Sequence, residues 1–296
     1  MRTITILAVI LLFSALSAAQ TSETVIGPNI TGKIERYKNF PSDKVAPRNV
    51  DVWLPPGFSP KKKYAVLYMH DGQMLFDEST TWNKQEWHAD EVLAKLIAEK
   101  KVRETIIVGV WNTPKRREEY MPQKAFEMAS ADQKKEAATF GITGVVSDNY
   151  LKFLVDELKP FIDRNFPTKR DRGNTFVMGS SMGGLISLYA ISEYPNIFGG
   201  AGCLSTHFPA GNGVMIDYMR SNLPTPKNHR IYFDYGTETL DSSYEPFQLK
   251  ADDLMRAKGF TAESWITKKF KGDDHSEKSW ASRLDIPLEF LLGKRK

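Results

Sequence analysis

Cysteine is all but missing: Cys203 is the single one in 296 residues. No intramolecular disulfide can form, so the fold has to rest on its apolar core. Cys203 stands among Gly and Ala and is expected to be a small buried packing residue. An excess of charge of either sign is missing too. Forty Lys and Arg face 36 Asp and Glu, for a net charge of +4, which is too small and too scattered for a nucleic-acid surface. The triplet Lys61, Lys62 and Lys63 reads as a solvated turn before a strand. Internal repeats, low-complexity tracts and any apolar run long enough to span a bilayer are also lacking.

The one pronounced apolar run covers residues 4–13. It follows Arg2 and leads into Ser17, Ala18 and Ala19. A basic start, a short apolar stretch and small residues make a secretory leader, with cleavage expected near Ala19. No Cys stands at that site to carry a lipid. The expectation is an exported protein, with residues 1–19 as leader and 20–296 as a single domain without an integral membrane segment.

The apolar content, 41% with 26% charged residues, suits a globular domain. Segments 32–40 and 49–54 read as strands. Continuous apolar runs at 64–69 (YAVLYM) and 105–110 (TIIVGV) read as strands buried on both faces. Further strands are expected at 175–178, 230–235 and 263–270. Helices are expected at 86–100, 148–166, 184–193, 246–258 and 277–292, the last interrupted near Pro287. Strands alternating with helices imply an α/β fold with a mostly parallel, doubly wound sheet and helices on both faces. Ligands in such sheets bind at the carboxyl ends of the strands. Segment 112–147 is long and polar and follows a central strand, so it is read as a substrate-covering insertion.

The chemistry enters at Gly179-Ser180-Ser181-Met182-Gly183. This G-x-S-x-G run lies between a strand (FVM) and a helix (GLISLYAI). In that context the serine sits on a sharp, strained turn that lifts its hydroxyl above the sheet. The turn also aims the next backbone N–H, that of Met182, at a developing oxyanion. A second donor is expected after an earlier central strand. His70-Asp71-Gly72-Gln73 follows YAVLYM, and Gly72 permits a tight turn that presents the Gln73 N–H. His70 precedes the nucleophile in the chain and is read as a structural turn residue.

Chain order in this arrangement is Ser, acid, His. His275 follows a strand in a loop and can reach Ser181 as a general base. His229 precedes strand 230–235, at the wrong end, and is read as a surface residue. The acid is expected after that strand. Asp241 is preferred because several residues of loop are needed to reach the imidazole, and Glu238 is the alternative. Asp234 lies inside the strand and is read as a polar residue at the core edge. No metal is expected, since Asp273-Asp274-His275 lacks further ligands at zinc spacing. No organic cofactor is called for. Trp82, Trp87, Trp111 and Tyr120 fall near loops above the site; Trp82, Trp111 and Tyr120 are candidates to stack a substrate ring, with ordinary packing as the alternative.

YMHDGQMLF, GVWNTPKRREEYMP, MGSSMGG, YFDYGTETLDSSYEPFQ and DDHSEKSWASRLDIPLEFLLG together resemble an esterase family of α/β-hydrolases. That family includes enterochelin esterases, the feruloyl and acetyl-xylan esterases of carbohydrate esterase family one, and S-formylglutathione hydrolases, with the mycolyltransferases as distant relatives. The likeness runs from about Asn49 to Gly293. It implies an α/β-hydrolase fold, a Ser181–Asp241–His275 triad, backbone donors at Gln73 and Met182, and a small-molecule or glycan ester as substrate. An acyltransferase of the same fold and a non-catalytic binding module on a hydrolase scaffold are the competing readings.

Overall fold

The computed structural model describes residues 20–293; the leader expected over residues 1–19 lies outside them. A single nine-stranded sheet organises the chain. Its strands are β1 (Glu23–Val25), β2 (Lys33–Phe40), β3 (Arg48–Leu54), β4 (Ala65–His70), β5 (Thr105–Val110), β6 (Thr175–Ser180), β7 (Gly200–Leu204), β8 (Arg230–Tyr235) and β9 (Trp265–Lys269). The spatial order is β1-β2-β3-β5-β4-β6-β7-β8-β9. The first three strands and the β3–β5 junction are antiparallel. From β5 through β9 every pairing is parallel.

The parallel strands read as unbroken apolar runs because each feeds two cores. In β4, Val66 and Tyr68 point into one cluster and Ala65, Leu67 and Met69 into the other. Helices Met182–Glu193, Val214–Asn222 and Glu245–Ala257 cover the first face, with the long helix that starts at Ser147 and ends at Asn165. Helices Ala89–Ala98 and Asp285–Leu292 cover the second. Side chains alternate across a strand, so only continuous hydrophobicity fills both faces. Among the described residues, no helix is long and apolar enough to cross a membrane.

Several expectations shift. β7 and the helix Val214–Asn222 had no sequence signal. β7 reads Gly-Ala-Gly-Cys-Leu, poor in β-branched residues. The glycines are there because β6 carries bulk: a Cβ on Gly202 would meet Met178 Cε at 2.6 Å, and one on Gly200 would meet Phe176 at 2.9 Å. Cys203 is buried there, as expected, and burial pushes its thiol well above the usual range. Helix 86–100 shortens to Ala89–Ala98, because the N–H groups of Trp87 and Ala89 go to the carbonyls of Met74 and Leu75 at 3.0 and 3.1 Å. The C-terminal helix breaks before Pro287, not at it. Pro287 sits in the first turn of Asp285–Leu292, where a missing N–H costs nothing. Segment 112–147 is not plain loop but contains the short helices Arg116–Tyr120, Gln123–Glu127 and Ala131–Thr139.

That segment is fastened to the sheet by a buried ion pair. Arg48 on β3 donates from Nη1 and Nη2 to both carboxylate oxygens of Glu119, at 2.9 and 2.7 Å, and both side chains are almost wholly buried. A bidentate pair of this kind is costly to break because the survivor keeps a buried, unpaired charge. Glu119→Gln should therefore destabilise the fold by about 3–5 kcal/mol in urea denaturation. Replacing both partners, Arg48→Met with Glu119→Leu, should recover most of that loss. A cost for Glu119→Gln below about 1 kcal/mol, the level of an exposed pair, would show that the segment is held by other contacts.

Candidate active site

The carboxyl ends of β4 to β9 converge on one edge, and the residues beyond them form the site. Ser181 stands between β6 and the helix Met182–Glu193 with φ 58° and ψ −120°. That backbone is strained for a residue with a side chain, and such strain persists only where the surroundings enforce it. Here its N–H donates to Leu204 O at 2.9 Å and its carbonyl accepts from His207 N at 3.2 Å. The turn closes so tightly that a Cβ on Gly179 would fall 2.9 Å from the Gly183 backbone. The Gly-x-Ser-x-Gly spacing is thus a packing requirement. Ser181 is half-buried, whereas Ser180 is buried in β6.

The loop after β4 lies against this turn. Gly183 faces His70 and Asp71, and a Cβ on Gly72 would strike the Gly109 backbone at 2.5 Å. Asp71 adopts a left-handed conformation and leads into the single turn Gly72–Met74 that holds Gln73. Gln73 and Met182 are therefore carried on adjoining segments. Asp71 is clamped by Arg116, whose Nε and Nη2 donate to Oδ1 and Oδ2 at 2.7 Å each, and by Asn112 Nδ2 at 2.6 Å. Burial opposes its ionisation, but Arg116 and Asn112 outweigh this and hold the carboxyl below its usual range. Gln73 Oε1 accepts from Asn112 N at 3.1 Å. His70 is buried beneath the turn with Nδ1 2.8 Å from the Tyr150 hydroxyl, and burial lowers its pKa to about 3. It is a neutral structural residue, as its place in the chain suggested.

His275 Nδ1 lies 2.5 Å from Asp241 Oδ1. The choice between carboxylates is made by the local backbone. Gly236 packs on the His275 loop so closely that a Cβ there would fall 2.2 Å from Asp273 O. Thr237 N and Glu238 N both donate to Asp273 O, at 2.9 and 3.0 Å. The single turn Thr239–Ser243 then carries Asp241 back over the end of β8, buried, while Glu238 stays exposed. Asp241 Oδ2 accepts from Ser205 Oγ and Gly236 N, both at 2.6 Å. Burial works against this carboxylate, but its bonds to His275, Ser205 and Gly236 prevail and lower its pKa.

A set of residues to which the sequence assigned no part in the site surrounds this pair. Trp280 Nε1 and Arg283 Nη2 donate to Ser205 Oγ at 2.9 and 3.1 Å. Arg283 also pairs with Asp234 and Asp273, at 3.0 and 2.7 Å. Asp234 is fully buried, not at the core edge. The His275 ring sits between Trp280 and Tyr244, at centroid distances of 5.0 and 5.7 Å. The Tyr244 hydroxyl contacts Ser181 and lies 2.5 Å from His207 Nδ1. Burial, then the neighbouring His275, push His207 down to about 4, so it is neutral near pH 7. His207 follows the unrecognised β7, which is why no strand-end argument found it. Phe140 of the 112–147 segment packs edge-on against it at 5.0 Å.

Other expectations are corrected. His229 is buried, not on the surface, with its ring nitrogens 2.8 Å from Thr225 O and 2.7 Å from Pro195 O; the turn before β8 folds back over it. It remains at the end of β8 away from Ser181. The aromatic candidates do not gather. Trp82 is 82% exposed and Trp87 is buried. Trp111 is tied to Asp51 through Nε1 at 2.9 Å and lies under the Arg36 guanidinium at 4.6 Å. Tyr120 is fully buried, between His70 and Tyr150, and cannot stack a ligand.

Residues 45–285 match the protein family described as Putative esterase. The chain belongs to that family. Its reaction class is accordingly carboxylic-ester hydrolysis, and its fold is the α/β-hydrolase fold of its structural neighbours. Among curated proteins it is 25% identical over 260 residues to the uncharacterized protein YbbA of Bacillus subtilis, covering 86% of this chain and 96% of that one. It is 26% identical over 268 residues to an endo-1,4-beta-xylanase/feruloyl esterase of Xylanibacter ruminicola, covering 88% of this chain and 31% of that protein. Among solved structures it resembles an IroE-like serine hydrolase from Shewanella oneidensis, with a TM-score of 0.67 and 18% identity over 88% of this chain and 79% of that one. The enterobactin esterase FES from Shigella flexneri aligns with a TM-score of 0.60 and 20% identity, over 89% of this chain and 60% of that one.

The Asp241–His275 contact makes a spectroscopic prediction. A short Nδ1–H bond to a buried carboxylate should give a far-downfield imidazole proton in NMR spectra. Asp241→Asn should remove that resonance and Glu238→Gln should leave it in place. The converse pattern would reassign the partner of His275 to Glu238.

Proposed function

We propose that the protein is an exported serine esterase that works through an acyl-enzyme, with Ser181 as nucleophile, His275 as general base and Asp241 as the orienting acid. The observation that carries this reading is the His275–Asp241 contact, formed beyond the same strand ends as the strained Ser181 turn. In this mechanism Asp241 fixes the tautomer that keeps a proton on Nδ1 and leaves Nε2 free to accept one. His275 takes the proton of Ser181 as its oxygen attacks the ester carbonyl. The oxyanion rests on the N–H groups of Met182, at a helix start, and Gln73, each such donor contributing roughly 3 kcal/mol. His275 then returns its proton to the departing alcohol, and water repeats the sequence on the acyl-serine.

Feruloyl esters and catecholate-siderophore esters are the first substrates to try, because the feruloyl esterase and the enterobactin esterase among the relatives are named for such compounds. In both classes an aromatic ring adjoins the ester. The ring's neighbours in this protein would be Phe140, His207 and Tyr244 rather than the tryptophans the sequence brought forward. Segment 112–147, which delivers Phe140 and Arg116 to the site, is the part that would cover the substrate. Export rests on the leader pattern ending at Ala19.

Ser181→Ala should abolish hydrolysis, by about 10⁶-fold where a triad acts as one unit, while the variant keeps its melting temperature. Asp241→Asn should cost about 10⁴-fold and Glu238→Gln little. A panel of acetyl, feruloyl and catecholate esters, run with and without an added sugar acceptor, measures hydrolysis against acyl transfer and ranks the substrates. Retained turnover in Ser181→Ala would sink the nucleophile assignment. Failure of the folded wild-type protein to react with a fluorophosphonate probe would favour the non-catalytic reading.

A further inference from the structure

Away from Ser181, the loop that leads into helix Ala89–Ala98 gathers Glu86, His88 and Glu91. Glu86 Oε1 lies 3.4 Å and Glu91 Oε1 3.5 Å from His88 Nδ1, and the donor atoms of all three lie within 4.8 Å of one another. Glu86 is 3% exposed. Neither of its carboxylate oxygens has a partner of hydrogen-bond geometry, with the Glu78 backbone N–H nearby. Glu91 Oε2 and the adjoining Asp90 Oδ1 are buried without partners as well. Asp90 Oδ2 accepts from Thr31 N at 2.7 Å, and its carboxyl also meets that of Glu91. Among the described residues, no lysine or arginine bridges to Glu86 or Glu91, whose ionic contact is His88 alone.

Glu86, buried with no hydrogen-bond partner on either carboxylate oxygen, is an anomaly, since buried polar atoms nearly always find a partner. Two carboxylates converging on one imidazole nitrogen supply what a divalent transition metal takes: borderline nitrogen and hard oxygen together. Calcium and magnesium bind almost wholly through oxygen. The spacing agrees. Zinc bonds of 2.0–2.1 Å in a tetrahedron place neighbouring donors about 3.3 Å apart, close to the two distances found around His88. The backbone of His88, at φ 51° and ψ 38°, is one that glycine adopts without strain, and it swings the imidazole back over Glu86.

We propose that Glu86, His88 and Glu91 bind a zinc-type divalent cation that braces the wall of the active site without taking part in its chemistry. Their loop carries Trp87, which packs on Trp280 at 5.6 Å, and Trp280 is the indole that flanks His275 and donates to Ser205. Asn83 and Gln85 of the same loop bind Glu277 Oε2 and Lys278 N, at 2.7 and 3.2 Å. A cation here would fix both ends of a loop that otherwise encloses closely spaced carboxyl groups.

The test uses the full chain without a polyhistidine tag, stripped with chelator and then given one equivalent of ZnCl₂. After desalting, elemental analysis should find one zinc per chain, and the melting temperature should rise with zinc concentration. His88→Ala changes a half-exposed ring and should fold. It should weaken zinc binding by at least about tenfold and remove the thermal gain. Glu86→Gln should do the same, while Ser181→Ala should bind zinc as the wild type does. No zinc retained by the wild type, or zinc retained equally by His88→Ala, would overturn the site. An equal thermal gain with Mg²⁺ or Ca²⁺ would overturn the assignment to a zinc-type ion. None of these readouts depends on the esterase reading, so the two can fail separately.

Discussion

Much of the active-site edge depends on one buried carboxylate. Asp241 accepts from His275 on one oxygen and from Ser205 and Gly236 on the other. Ser205 begins where β7 ends, Gly236 where β8 ends, and His275 lies beyond β9, so this single charge joins three consecutive parallel strands at their tips. Its partners are themselves held: Ser205 by Trp280 and Arg283, and Arg283 by Asp234 and Asp273. A buried charge is tolerable only when its hydrogen-bonding capacity is met. Meeting it here immobilises the imidazole through Nδ1.

The other half of the edge is built by close backbone approach. Gly72 against Gly109 and Gly179 against Gly183 leave no room for side chains, and Gly183 lies beside His70 and Asp71. The loop after β4 and the turn after β6 therefore abut. Asp71 is the electrostatic counterpart of Asp241 on this side. It is buried, ionised and clamped by Arg116 from the 112–147 segment, so the same contact that shapes the Gln73 turn also anchors the segment above it. Arg48 and Glu119 fasten that segment a second time. The wall near His275 rests in turn on Trp87 and Trp280, next to the Glu86–His88–Glu91 cluster.

Element types along the parallel core were legible because burial on both faces of a strand leaves a continuous apolar run, as in YAVLYM and TIIVGV. The serine turn was legible because its steric demand is local: five residues have to accommodate a positive φ at Ser181. β7 was not, because its glycines answer to Phe176 and Met178 on the neighbouring strand, a demand no local propensity records. Ser205 and His207, which follow it, were hidden with it. His229 was misread as exposed because a residue before a strand is on the surface unless a turn folds over it.

By itself the sequence determined the sheet's alternation, the G-x-S-x-G turn and the position of His275 beyond the last parallel strand, all consequences of short-range sterics and hydrophobic period. It also narrowed the acid to two residues three positions apart. Only the tertiary structure decided which of them contacts His275. Glu238 and Asp241 have the same chemistry and nearly the same reach, and what separates them is the packing of Gly236 on Asp273 O and the turn that follows. The fate of the aromatics was likewise a tertiary matter. Trp82 and Trp87 lie five residues apart, one in solvent and one in the core, because the face a side chain takes in a loop is set by what lies against it and not by its own polarity.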